Sequence, residues 1–212
     1  MRLMAFFLLG FFQGCVSLQI GTDFQSGRQA LLRNQSEQAL PYFLEAAQKD
    51  PDYVYRSMYF SEGIWTYVGR TEYAVGKFRE ARESLERALG KDKNDNMARL
   101  YLGLTLMRSG DYEGGLREVQ AGMVGLHDWL EYINAARPFE AYWDPTREIR
   151  SAIEEDLDKI KAKDIDHDQL IADGEWLGKR MEEEIDRARR DEEQRYQRGF
   201  EHGSGVSLGI GF

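Results

Sequence analysis

Apolar residues recur along this chain in two different ways. From Leu3 to Phe12 they form an almost unbroken run. The run is about half of the roughly 20 residues a bilayer-crossing helix needs. Farther on, small and apolar residues return every three or four positions, the period of a helix with one buried face. Gly27, Ala39, Phe43 and Ala46 make one such set. Gly69, Ala81, Leu85 and Ala88 make a second, and Gly103, Gly115, Val119 and Gly122 a third. The second and third sets are offset by 34 residues, the first and second by 42. Each set reads as a helical hairpin. The small residues let its two helices approach closely, and Phe43, Leu85 and Val119 fill the space between hairpins. Asn34, Gly76 and Gly110 stand where each first helix must stop, and both residue types tolerate the left-handed backbone needed there. Pro51 stops the second helix of the first set.

Eight additional residues separate the first two copies, around Asp52 to Phe60, and they include Tyr53, Tyr55 and Tyr59. They are expected to lengthen the first helix of copy two. After the repeats, Leu126 to Ile133 predicts a further helix presenting Trp129, Leu130 and Ile133, broken by Arg137-Pro138. Asp144-Pro145-Thr146 reads as a helix start, with Asp144 as N-cap and Pro145 at the first helical position. Ile149, Ile153, Leu157 and Ile160 then form one stripe, suited to capping the open end of a helical stack.

A long helix follows from about Asp166 to Gln197, with a narrow stripe of Leu170, Leu177, Met181, Ile185 and Ala188. Its last third, Glu182 to Arg198, is almost entirely charged. It reads as a solvated helix with acid–base pairs along its face, or alternatively as a partner-binding arm. In the Gly-rich end, Val206, Leu208, Ile210 and Phe212 alternate with small residues, and the pattern nearly copies Val16 to Gly21. An extended strand here would have one apolar face able to add to a partner's sheet edge; a frayed tail is the alternative.

The 34-residue period, with Trp65-x2-Val68-Gly69 followed by Ala81, Leu85 and Ala88, resembles the tetratricopeptide repeat (TPR) family. The resemblance implies an all-α fold: a stack of about three TPR-type hairpins with a C-terminal capping helix and a long charged helix. In that family the first helices of each unit line a concave groove for protein partners. Placed in that register, copy one contributes Phe24, Arg28 and Leu31 to the groove. Copy two contributes Thr66, Arg70 and Tyr73, and copy three Leu100, Leu104, Met107 and Arg108. Arginines amid apolar residues suit an acidic or C-terminal peptide segment, because a guanidinium holds a carboxylate through two parallel hydrogen bonds. The alternative is that these arginines are surface charges paired with nearby acids.

Met1-Arg2, the apolar run and Phe12-Gln13-Gly14-Cys15 have the order of a secretory signal peptide. The Gly14-Cys15 ending resembles the lipobox of bacterial lipoproteins, with Phe12 and Gln13 in place of the usual leucine and small residue. The resemblance implies a covalent diacylglycerol and a fatty acid such as palmitate on Cys15. It also implies anchoring in the bacterial cell envelope, and Val16 after the cysteine suggests the periplasmic face of the outer membrane. Residues 1–14 are then the signal peptide, 15–22 a lipidated linker and 23–127 the repeats. Residues 128–163 are the capping helices, 164–199 the charged amphipathic helix and 200–212 the tail.

The formal net charge of −9 makes nucleic acid a poor partner, since an acidic surface repels phosphates. A single cysteine excludes an internal disulfide and a cysteine-built zinc site. Of the three histidines, His167 lies among Asp164, Asp166 and Asp168. That cluster reads as a helix cap with acids at the positive helix end rather than as a metal site. No zinc-protease His-Glu-x-x-His, phosphate-binding or dinucleotide motif occurs, and no catalytic residue, metal or other cofactor is assigned. The reading is a membrane-anchored, non-enzymatic scaffold for a protein partner in envelope assembly or secretion. One alternative is an accessory subunit docked to an outer-membrane barrel or pore through Val206, Leu208, Ile210 and Phe212. Another is an envelope enzyme for which the sequence offers no nucleophile.

Overall fold

The structure, a computed structural model, describes residues 10–136 and 143–203, with side chains described for residues 19–136, 143–195 and 197. Helices α1 (Gly10–Leu32) and α2 (Ser36–Lys49) form the first hairpin, α3 (Ile64–Ala74) and α4 (Phe78–Lys91) the second, and α5 (Asn96–Arg108) and α6 (Tyr112–Ala136) the third. α7 (Glu148–Ala162) and α8 (His167–Gly203) follow. A two-stranded ribbon, β1 (Val54–Ser57) and β2 (Phe60–Gly63), sits between the first two hairpins. This is an all-α TPR-type stack.

The contacts inside each hairpin follow the small-residue pattern. A Cβ on Gly27 would lie 2.7 Å from the Phe43 ring, and one on Gly69 would lie 2.5 Å from Leu85. At Gly103 the neighbours are backbone, 2.5 Å to the Val119 nitrogen and 2.7 Å to the Gly115 oxygen. Asn34, Gly76 and Gly110 all take positive φ at the turns, at 57°, 77° and 90°. Gly103→Ala is therefore expected to destabilise. Helix propensity favours alanine by about 1 kcal/mol, but separating two packed backbones costs about 1–3 kcal/mol or more. Urea unfolding of the variant checks the sign.

Several expectations need correction. The eight residues before copy two do not extend a helix; they form the antiparallel ribbon, with Tyr55 opposite Glu62 and Ser57 opposite Phe60. Tyr55, Phe60 and Glu62 are buried while Arg56 and Ser61 are exposed, an alternation that suits a pleated strand and not a helix. The turn residues Met58 and Tyr59 both have positive φ, as the tightest hairpin turn requires. Phe60 then packs on Trp129 with ring centroids 5.4 Å apart, and Trp129 on Trp143 at 4.8 Å.

Residues 15–22, read as a linker, lie within α1, and Ile20 is already buried. The separate helix expected from Leu126 to Ile133 is the continuation of α6, which runs 25 residues without a break. Arg137-Pro138 and the tail residues Val206, Leu208, Ile210 and Phe212 lie outside the described residues. Asp144 does cap α7, but from a distance: its carboxylate accepts from the Ile149 and Arg150 amides at 3.0 Å each, and α7 begins only at Glu148.

The last third of α8 is not wholly solvated. Glu182, Glu184 and Asp186 are buried. Glu184 accepts from the Asp144 amide at 2.5 Å, and Asp186 pairs with Arg189 at 3.1 Å. Partners on this helix and on neighbouring elements thus make burial of these acids tolerable.

Candidate partner-binding surface

α8 packs against α1 and α5 and reaches Arg70 and Tyr73 of α3 through Glu182 and Glu175. Its docking face is written at four-residue spacing, so that Gly174, Gly178 and Glu182 fall on one side. A Cβ at Gly174 would meet Leu104 at 2.7 Å, and one at Gly178 would run into the Tyr101 hydroxyl. Leu177, Met181 and Ile185 flank these positions and are buried.

Glu182 then enters a buried charge cluster at the base of the stack-facing side of α8. Arg28 Nε donates to its Oε1 at 2.6 Å, and Arg70 Nη1 donates to its Oε2 at 3.2 Å. Arg70 Nη1 also reaches Glu62 Oε1 at 2.8 Å, and its Nη2 donates to the Gly178 carbonyl at 3.3 Å. Arg28 Nη1 donates to the Tyr55 hydroxyl at 2.8 Å and its guanidinium lies 4.6 Å from the ring centre. Arg70 sits between the faces of Tyr67 and Tyr101, 5.3 and 5.1 Å from their centroids. Both arginines have side chains only 2% exposed.

Burial alone would weaken their hold on a proton. Glu182 beside Arg28, and Glu62 beside Arg70, more than offset it and keep both guanidiniums above their ordinary value. Burial acts the other way on Glu62. Despite Arg70 it pushes this carboxyl up to about 8, and its Oε2 has no hydrogen-bond partner.

Seven of the ten groove residues read from the register are therefore interior to this chain. Phe24, Leu100, Leu104 and Met107 are core. Thr66 is buried and donates to Asp95 Oδ2 at 2.5 Å, while Asp95 caps α5 through the Ala98 amide. Arg28 and Arg70 are locked on Glu182. The open peptide groove expected at these positions is filled by α8; Arg28 and Arg70 are paired with acids, but as buried charges and not as the surface charges of the alternative reading. The residues that sequence reasoning missed are Gly174, Gly178, Glu182 and Glu62. A signal for the first two was present: a glycine inside a helix costs about 1 kcal/mol relative to alanine, so two at four-residue spacing mark a close approach.

The other three groove residues, Leu31, Tyr73 and Arg108, border a cleft of about 430 Å³ that α8 leaves open. It lies between the turn after α1, the end of α3, the start of α4 and the middle of α8. Leu31 and Phe78 contribute apolar lining, and Lys179 stands on the α8 side. Arg108 is 42% exposed and holds Glu175 at 2.8 Å, while the Tyr73 hydroxyl donates to the same oxygen at 2.5 Å. The acid Glu183 is paired with Arg180 at 2.5 Å. Ser36 and Phe78, which open α2 and α4, both line the cleft. The N-cap residues Gln35 and Lys77 supply no side-chain cap, while in α4 the Glu80 carboxylate accepts from its own first-turn amide.

A separate cluster of His127, Glu131 and Glu154 brings its ligating atoms within 4.8 Å of one another. Arg147 already bridges Glu131 and Glu154 at 3.0 and 2.9 Å, and Arg150 adds a bond to Glu131 at 3.0 Å. Two guanidiniums satisfy these carboxylates, and the cluster ties α6 to α7. His167 stacks on Tyr112 at 4.6 Å. Asp166 beside it accepts from the Asp168 and Gln169 amides, which makes it the cap of α8.

Residues 69–126, from within α3 to within α6, match the tetratricopeptide repeat family. No curated protein matches the chain. Repeats of this family serve as protein-interaction scaffolds, and the hairpin contacts above are those of such a stack.

Proposed function

We propose that this protein is a lipid-anchored scaffold of the bacterial cell envelope that holds a protein partner in its open cleft. The partner segment is a peptide carrying a carboxylate beside an apolar side chain, either acidic or C-terminal. The observation that carries this reading is the composition of the cleft. Its apolar lining includes Leu31 and Phe78, and its cations are Arg108, Lys179 and the buried, paired Arg70. Its three bordering acids, Glu175, Glu182 and Glu183, already have arginine partners, Arg108 itself being the partner of Glu175. The starts of α2 and α4 add the positive ends of two helix dipoles, each partly met by its own first-turn acid, Glu37 and Glu80. The anchor is Cys15, acylated after removal of residues 1–14, on the grounds of the apolar run and the Gly14-Cys15 ending. Several acyl chains, each methylene adding about 0.8 kcal/mol, hold a protein firmly on a bilayer.

Affinity capture from detergent-solubilised envelopes tests the cleft. Arg108→Glu combined with Lys179→Glu changes only exposed or half-exposed positions and should leave the fold intact. Recovery of the partner is expected to fall by about tenfold, which corresponds to about 1.4 kcal/mol. Unchanged recovery would place the partner elsewhere on the molecule. Alanine at Arg28 or Arg70 is not a usable test, because it would strand Glu182 inside the protein.

A further inference from the structure

We infer that the folded body stands directly against the bilayer, without a tether, with the Gln48–Lys49 end of α2 toward the lipid headgroups and the cleft facing away. This rests on the acylation of Cys15 proposed above. The geometry begins with where the body starts. Ile20 is 6% exposed and Phe24 is fully buried, so the core takes hold five residues after the anchored cysteine. α1 is continuous through this stretch. Five helical residues rise roughly 8 Å, and even fully extended they span at most about 18 Å. A flexible tether of about 30 residues would instead give a mean separation of roughly 30 Å and no fixed orientation.

The contacts of α1 then say which end is near. α2 runs back antiparallel to it, and Lys49 pairs with Asp23 at 2.6 Å. Gly27 meets Phe43 farther along, and the chain reverses at residues 33–35. The C-terminal end of α2 is thereby held at the anchored end of α1. Glu37, at the start of α2, lies about 16 Å farther along the helix at 1.5 Å per residue. Leu31 and Ser36, at the turn, line the cleft, and Leu31 is about 24 Å along α1 from Cys15 by the same rise. The cleft is displayed on the aqueous side, reachable by a partner that does not itself touch the membrane.

The test uses the full-length acylated protein, purified from membranes and placed in phosphatidylcholine vesicles containing a lipid with a quencher on its headgroup. Gln48→Cys and Glu37→Cys, both at exposed positions, each receive a thiol-reactive fluorophore. Acylated Cys15 presents no free thiol to compete. Quenching is expected to be several-fold stronger at 48 than at 37. Inserting about twelve glycine and serine residues between Ser17 and Leu18 should abolish the difference while leaving the protein membrane-bound, since such a segment behaves as flexible coil. Equal quenching at the two positions in the parent chain, or a difference that survives the insertion, overturns the inference. The mass of the N-terminal peptide separates this from failure of the anchor: a free Cys15 thiol overturns both, whereas acylated protein with equal quenching overturns the orientation alone.

Discussion

Glu182→Ala is expected to cost about 3–5 kcal/mol of folding stability, the range for removing one partner of a buried ion pair. Set against the roughly 5–15 kcal/mol by which domains are stable at all, that is enough to leave a large unfolded population. The cost comes less from lost attraction than from what remains. Arg28 and Arg70 would keep their charges in a site where each is 2% exposed, beside Glu62, which burial keeps largely protonated at neutral pH. Glu175→Ala provides the contrast. Its pair with Arg108 is about 40% exposed on both sides, and exposed pairs are worth about 0–1 kcal/mol. Chemical denaturation of the two variants should separate them clearly. Limited proteolysis adds a second reading: if α8 leaves the groove before the stack melts, cleavage in residues 163–166, between α7 and α8, should accelerate in Glu182→Ala alone. Equal stability of the two variants would mean that Glu182 is not the counter-ion of the stack.

That cluster also marks where sequence reasoning stops. The hairpins were legible because their information is local: Gly27, Gly69 and Gly103 each meet a residue 16 positions later, within one unit. The 34-residue offset repeats the same close approach, and the left-handed turns at Asn34, Gly76 and Gly110 follow from local backbone sterics. Arg28 and Glu182 are 154 residues apart. Nothing in the local pattern around Arg28 says whether it faces water, a partner or another helix. The family register placed it on the concave side, but the group it meets is set by the length and docking face of α8. The charged run from Glu182 onward looked solvated because composition does not distinguish an exposed carboxylate from one that has found two guanidiniums.

The ribbon was missed for a different reason. Val54 to Gly63 is too short to show a period clearly, and tyrosine and phenylalanine serve strands and helices alike. Burial of Glu62 is what makes it a strand with an inner face, and Glu62 is buried only because Arg70 lies beneath it. The capping of α7 was half legible. Asp144 has the right chemistry, but it sits in a left-handed conformation and reaches the Ile149 and Arg150 amides across Pro145 and Thr146, instead of directly preceding the first helical turn.

Glu62 should also make stability depend on pH, in the direction opposite to that of an ordinary salt-bridged acid. Its folded-state value of about 8 lies above the 4.5 expected in the unfolded chain. Between those values the folded protein holds a proton that the unfolded chain has released. The stabilisation is therefore complete below about pH 4.5, shrinks as pH rises, and is gone once pH passes about 8. The difference between the two values corresponds to a swing on the order of 3–5 kcal/mol. Burial is the cause, with Asp95 and Glu182 adding repulsion and Arg70 opposing it. Other carboxylates titrate over the same range, among them Asp156, pushed up to about 6 by burial and by Asp173, so the absolute stability curve mixes several groups. Glu62→Gln removes one of them while keeping the side-chain volume and an acceptor for Arg70. The stability of the parent chain minus that of the variant, measured by urea unfolding from pH 5 to pH 9, should fall up to about pH 8 and then level off. A flat difference would mean that Glu62 is ionised in the folded protein throughout, so that Arg70 and Arg28 are matched by two full negative charges and the interior is neutral at pH 7.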